Sequence, residues 1–550
     1  MSALTKGAKR WRPRWLVPDH ERYLFQAPPP QRPALLAIVG VGAFGLYAAC
    51  VLAVLLRATS LDHPAAAVLA LVVGAVAIVP LARAYRDRDG PALADPLVVA
   101  GWVFWLPMFC LGGVSLALGW TRPYYLDLLA DPSAALAASE LWGLVGFLAL
   151  ALGTEVPGLR RVGVAIGGRL PRGDWPPGAV RWPAAVLVVA GLAVSAYALV
   201  TGGLGYEAST RQELSPLPAY LQTITLVGVA LLWFDLIRDP VRSRTRLVLT
   251  IVAIGVAAIV GSTLAESRAT LALWVLVVLL VSALAKVTIP VRVAAGVVAV
   301  AAVALVLGAL IGSTYREVRA GVTTTAEGVV ADDTASQGRV GDFGRTVDRI
   351  AERGLVDNLG YVRDRSVQRL EAPGALAVVV ARQQELDGTD TAAGAPHVLE
   401  SALGSFIPRV VWADKPASTD PGAISRLYFE FEANAFAITP MGDLLRDLGP
   451  VAVPLAMVVM GVVLRLLHAT LVGAGPVTAG RVAAFAVLVV RGPMWWEGFY
   501  ATFLADLVRA GLVVAVALGA VHLWVRVLGR SGTDAAESIE RTEPVEPVEA

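Results

Sequence analysis

Val293-Ala294-Ala295-Gly296-Val297-Val298-Ala299-Val300-Ala301-Ala302-Val303-Ala304-Leu305-Val306-Leu307-Gly308-Ala309-Leu310-Ile311-Gly312 carries no charge and runs straight into Ser313-Thr314-Tyr315-Arg316-Glu317-Val318-Arg319. A helix rises 1.5 Å per residue, so about 20 apolar residues are enough to cross a ~30 Å hydrocarbon core. The first stretch therefore reads as a membrane span ending near Gly312. Beyond it, Ser313 to about Asp447 holds no further span. A long polar break inside an otherwise apolar chain is the feature around which the rest is organised.

Working outward, similar apolar segments fall near 34–56, 65–84, 97–119, 136–153, 183–201, 217–237, 247–264, 270–288, 291–312, 449–467, 478–491 and 502–527. Their runs are continuous, without the ten-residue alternation of a membrane barrel, so they predict helices. Composition agrees. Hydrophobic residues make up 56% of the 550 and charged residues 16%, and mean hydropathy is +0.65; soluble domains are nearer a quarter charged. The reading is an all-α polytopic integral membrane protein, with about twelve transmembrane helices and one large extracytoplasmic loop containing amphipathic helices. Its parts are a basic cytoplasmic arm (1–33), a bundle of about nine helices (34–312), the loop (313–448), about three more helices (449–527) and an acidic, disordered cytoplasmic tail (528–550). The first apolar run is too long for a signal-peptide core. Cys50 and Cys110 lie inside spans and form neither a disulfide framework nor a zinc site.

Lys and Arg gather in cytoplasmic loops. The N-terminal arm holds Lys6, Lys9, Arg10, Arg12, Arg14, Arg22 and Arg32, and every second loop after it is basic. Arg83, Arg86 and Arg88 follow the second span, Arg160 to Arg181 the fourth and Arg238 to Arg246 the sixth. Both termini are thus expected in the cytoplasm of a cell (plasma) membrane protein, and the 313–448 loop, richer in acids than in cations, outside. Within it, 320–341 reads as a flexible entry. From Phe343, apolar residues at helical spacing (Val347, Ile350, Leu359, Val362) predict amphipathic helices that cap the bundle. The tail from Ser531 has no apolar face and reads as disordered.

Six cations expected at the outer face sit beside spans: Arg211, Arg268, Arg316, Arg319, Arg409 and Arg491. Lys415 joins them. A guanidinium stays charged and grips phosphate oxygens as a fork, so such a set suits a lipid-linked diphosphate; each alone also reads as a snorkelling or ion-paired cation. Candidate bases are His397 and Glu400, three apart in Pro396-His397-Val398-Leu399-Glu400. Asp414, Glu430, Glu432 and Glu497 are not ranked. Trp495-Trp496 reads as an interfacial aromatic belt. No P-loop, nucleophile elbow or zinc spacing occurs. The span centres are nearly free of ionisable residues, which argues against a proton-driven pump.

Phe406-Ile407-Pro408-Arg409 with Trp412-Ala413-Asp414-Lys415-Pro416, together with Thr439-Pro440-Met441-Gly442-Asp443-Leu444-Leu445-Arg446-Asp447-Leu448-Gly449 further on, resembles the external-loop signature of oligosaccharide repeat unit polymerases, the Wzy-type O-antigen polymerase family. Glu266-Ser267-Arg268 is similar to their upstream Ser-Arg element. The resemblance covers about residues 180–510 and departs at 428–438, where no catalytic acid aligns. It implies a glycosyltransferase of polysaccharide biosynthesis in the cell envelope, joining polyprenyl-diphosphate-linked oligosaccharides with no metal or other cofactor and no nucleic acid partner. It also implies chain-length regulator and flippase proteins as partners. Arg268, Arg409 and Lys415 would hold the diphosphate, with Arg211, Arg316 and Arg491 behind them. An O-antigen-ligase-like transferase, another polyprenyl-phosphate-dependent glycosyltransferase, and a lipid-linked oligosaccharide flippase are the alternatives.

Overall fold

The computed structural model describes residues 34–87, 93–200, 223–239, 244–264, 268–285, 291–320, 322–325, 328–331, 338–367, 370, 372–386, 397–404, 407, 412, 421–430, 436, 438–473, 475–492, 496 and 498–540. Eighteen helices cover most of them: α1 (Ala34–Leu56), α2 (Pro64–Asp87), α3 (Pro96–Ala117), α4 (Pro132–Thr154), α5 (Leu159–Arg169), α6 (Arg181–Val200), α7 (Thr223–Arg238), α8 (Arg244–Leu264), α9 (Arg268–Leu284) and α10 (Val291–Ala320). The polar break holds α11 (Gly338–Val367), α12 (Ala372–Arg382), α13 (Val398–Gly404), α14 (Pro421–Phe429) and α15 (Thr439–Leu448). The chain closes with α16 (Ala452–Leu471), α17 (Ala479–Val490) and α18 (Tyr500–Glu540). Each of the twelve apolar segments is thus helical where it is described. Six of the described helices are long and apolar enough to cross a membrane: α1, α2, α3, α4, α16 and α18. Leu55 on α1, Leu152 on α4, Leu455 on α16 and Leu523 on α18 face outward, as lipid-facing side chains do.

Helix entry follows cap chemistry. Asp95 accepts from Leu97 N at 3.0 Å ahead of Pro96, and Asp131 accepts from Ala134 N at 3.0 Å ahead of Pro132. Proline costs nothing at a first helical position, whose N–H has no partner anyway. The middle of α3, Gly101–Leu111, is wound as a π-helix around Pro107, which has no N–H to give, and Gly112 N donates back to the Pro107 carbonyl. This wider turn carries Phe104, Trp105 and Phe109 into the core. Trp105 donates to Gly143 O at 2.9 Å and packs on Phe147 and Trp496, ring centroids 5.2 and 5.8 Å away. Trp496 is therefore a buried core residue and not part of an interfacial belt, because the ring cluster gives it more contact than the interface offers. Trp495 lies outside the described residues.

α4 and α16 cross closely. A Cβ on Gly153 would stand 2.1 Å from Val458 O, and one on Gly461 2.2 Å from Leu150 O. Backbones meet there because neither residue has a side chain. Gly461→Ala is expected to cost about 1–3 kcal/mol through overpacking and to lower the melting temperature in detergent. Gly42→Ala on α1, with open space around it, should leave it unchanged.

Alternate loops gather at two ends of the bundle. At one end, Arg122 donates to Asp62 at 2.8 Å, His63 Nδ1 lies 2.7 Å from Ser133 Oγ, and Tyr124 Oη donates to Phe429 O at 3.0 Å. Burial holds His63 below the usual imidazole range. At the other end, Arg465 donates to Asp95 at 3.0 Å, Arg481 to Gly167 O at 2.6 Å and Arg238 to Val477 O at 3.2 Å. Arg181 there bridges Asp235 and Asp239, and Arg246 donates to Asp239 at 2.6 Å. The first group joins loops expected on one side of a membrane, and the second joins loops expected on the other.

Three expectations change. The entry to the polar break is not wholly irregular: Val322–Thr325 pairs antiparallel with Gly328–Ala331, as β-branched residues favour. α11 packs on α10 through mixed contacts: Arg353 donates to Glu317 at 2.9 Å and Thr314 at 3.2 Å, and Ile350, Tyr361 and Val362 cluster with Ala309 and Leu310, while the expected apolar residues Phe343, Val347 and Leu359 face outward with Leu355. The polar contacts fall where α10 beyond Gly312 is itself polar, and the apolar ones where it is not. The acidic tail is helical through Glu540. Extending α18 needs no new nucleus, and Ala535, Ala536 and Glu537 are good helix formers.

Candidate functional site

α15 is the element that organises the end of the bundle where the polar break folds. Thr439 to Arg446 are all buried, and the helix packs on α12, α16, α18 and α4. It begins under strain. Thr439 is a buried, β-branched residue at φ +65°, a conformation costing on the order of 1–3 kcal/mol. The surrounding packing holds it there. Asp443 Oδ1 accepts from Arg446 Nε and Nη2 at 3.0 and 2.8 Å, and Asp443 Oδ2 accepts from Ala501 N at 3.3 Å. Burial pushes the Asp443 carboxyl up from its ordinary value, against the opposing pull of Arg446 and the Ala501 N–H. This pair locks α15 to the start of α18.

One turn further, Asp447 reaches outward. His397 Nδ1 lies 2.6 Å from Asp447 Oδ1, and Val398 N donates to Asp447 Oδ2 at 2.7 Å. The Asp447 side chain is 3% exposed and that of His397 54%. A carboxylate oxygen accepts, so the tautomer that matches this contact carries its proton on Nδ1 and leaves Nε2 free for a substrate. A base whose tautomer is fixed by a buried acid is the arrangement general-base chemistry needs. α13, which starts at Val398, is seated against α15 and α18. Glu400 is exposed in its first turn and is not drawn into the pair.

The same end carries an aromatic and ionic frame. Phe429 and Phe436 stack at 4.2 Å, and Tyr125 meets both edge-on at 5.4 and 5.5 Å. Burial first, then the Glu430 charge, raise the Tyr124 phenol above its usual value. Arg382, the last residue of α12, donates to Tyr428 O at 2.9 Å and to Glu430 at 3.2 Å. Although α12 sits in a stretch expected to lie outside the membrane, Pro373 to Val379 are buried in the bundle. A Cβ on Gly112 would stand 1.8 Å from Leu370 O, just before α12. The break thus plugs back into the helices.

The anticipated cations divide by position. Arg268 opens α9 and Arg316 lies near the end of α10. Arg491 caps α17, its N–H donating to Val487 O at 3.2 Å. Arg211, Arg409 and Lys415 lie outside the described residues, as do Asp414, Glu432 and Glu497. The sequence alone does not single out Asp447 or Arg382. Asp447 stands fifty residues from its histidine, and only its place before Gly449 in the Thr439–Gly449 stretch marks it. Among the described residues no group of three His, Cys, Asp or Glu could hold a metal ion. No family model matches this chain, and comparison with curated proteins and with solved structures finds no match either.

Proposed function

We propose that this chain is a membrane glycosyltransferase of the polysaccharide polymerase type, joining polyprenyl-diphosphate-linked oligosaccharide repeat units at the extracytoplasmic face. What carries the reading is the His397–Asp447 pair beside motifs that resemble those of repeat unit polymerases. Twelve spans with both termini in the cytoplasm of a plasma membrane protein belong to the same proposal. The gathering of alternate loops at two ends supports it.

In this reading a hydroxyl of the acceptor unit gives its proton to His397 Nε2 while its oxygen attacks the anomeric carbon of the donor chain. The anomeric C–O bond to the carrier breaks, and the diphosphate leaves with the electron pair. Asp447 stabilises the imidazolium that forms. Arg268, Arg409 and Lys415, with Arg211, Arg316 and Arg491 behind them, neutralise the departing phosphates. Diphosphate is a good leaving group, so positioning and charge supply most of the acceleration.

The direct test replaces Arg409 with Ala and with Lys and follows lipid-linked and surface glycans on a gel. Loss of the long ladder, with single repeat units accumulating and the protein retained in the membrane, is the expected result in Arg409→Ala. Arg409→Lys recovers little, because an ammonium is not a bidentate fork. Ladders of normal length in both variants would remove Arg409 from the site. Wild-type chain length together with unattached polymer on the carrier lipid would instead favour the ligase-like reading.

A further inference from the structure

Glu140 is the one fully buried glutamate on a candidate membrane span among the described residues. It sits about two turns inside α4 from Asp131, and neither of its oxygens has a hydrogen-bond partner among the described residues. Gly113 of α3 stands against it, so close that a Cβ there would lie 2.0 Å from Glu140 Oε1 and 2.8 Å from the Ala70 methyl of α2. The titratable group facing it from α3 is Cys110, behind which lie Cys50 and Tyr47 of α1. α2 presents Ala70. Among the described residues, Asp62, Arg122 and Asp131 gather around His63, roughly 10 Å beyond Ala70 along α2.

A carboxylate in such a place, with no cation and no donor, would cost several kcal/mol or more. Binding a metal or alkali cation would need several further oxygen ligands, and the described residues bring no second acid or histidine to it in a metal-holding group. A proton needs no other ligand.

We propose that Glu140 is a proton-binding site within the helix bundle, holding a neutral carboxylic acid against the Gly112–Gly113 turn of α3. The site also touches the polar break. Gly113 abuts the acid while its neighbour Gly112 abuts Leu370 O, where the break re-enters the bundle. Loss of the proton would draw water or a donor toward Glu140 and move the turn that seats Leu370. Proton occupancy and the seating of α12 are coupled through two adjacent glycines, whichever reaction the chain performs.

Infrared difference spectroscopy on the full chain in lipid nanodiscs at neutral pH tests this. The wild type should show the carbonyl stretch of a protonated, weakly hydrogen-bonded carboxylic acid, shifted by deuterium exchange and absent in Glu140→Gln. Glu140→Asp, which keeps an acid one methylene shorter, should move that band without removing it. If Glu140→Gln removes only carboxylate bands, or if Glu140→Asp leaves the acid band where it was, the proposal is wrong. Loss of the wild-type band on adding sodium at constant pH would also overturn it, in favour of an alkali cation site.

Discussion

His397→Ala is expected to reduce chain growth about 10²- to 10⁴-fold, the usual contribution of a positioned general base, while the protein stays in the membrane. The side chain is half exposed, so removing it opens no core cavity. Asp447→Asn should fall in the same range for a different reason. An amide can still accept from Val398 N, but it can also donate to Nδ1. That favours the tautomer with its proton on Nε2, where a base cannot take one. Glu400→Gln should change little, since Glu400 is exposed and outside the pair. Repeat-unit incorporation in isolated membranes, measured beside protein level, separates these outcomes. Normal incorporation in His397→Ala with loss in Glu400→Gln would transfer the base to Glu400.

Asp443→Ala should be the most damaging single change to folding. It removes the carboxylate that Nε and Nη2 of the buried Arg446 both reach, at a cost of about 3–5 kcal/mol. The Ala501 N–H, which Asp443 also accepts, would lose its partner as well. Asp443→Leu combined with Arg446→Met should recover most of the loss, because removing both charges removes both desolvation costs. Melting temperature and monodispersity in detergent report this directly. A single variant as stable as wild type would mean that α15 is held by its apolar contacts alone. Such folding loss would also reach the site, since α15 carries Asp447 one residue beyond Arg446.

Local sequence is enough to place the helices. Apolar runs such as 293–312 and caps such as Asp131-Pro132 act over a few residues, so helix position and the two sets of loops are legible without any tertiary contact. Composition also leads to the expectation of membrane spans, and six described helices are long and apolar enough to be such spans. The fate of the polar break is not legible in this way. Pro373 to Val379 of α12 is an apolar stretch too short to span, and whether it floats outside or enters the bundle depends on a slot beside Gly112 that only packing makes. Trp496 and Glu140 show the same dependence. An aromatic residue at a span end reads as interfacial until its ring neighbours are known, and one acid in a span reads as noise until its partners prove missing. His397 is visible as a candidate from the residues around it, but Asp447, whose carboxyl meets its Nδ1, lies fifty residues away. Local periodicity and capping carry no information across such a distance. Only the folded chain, by seating α13 on α15, brings that acid to that histidine.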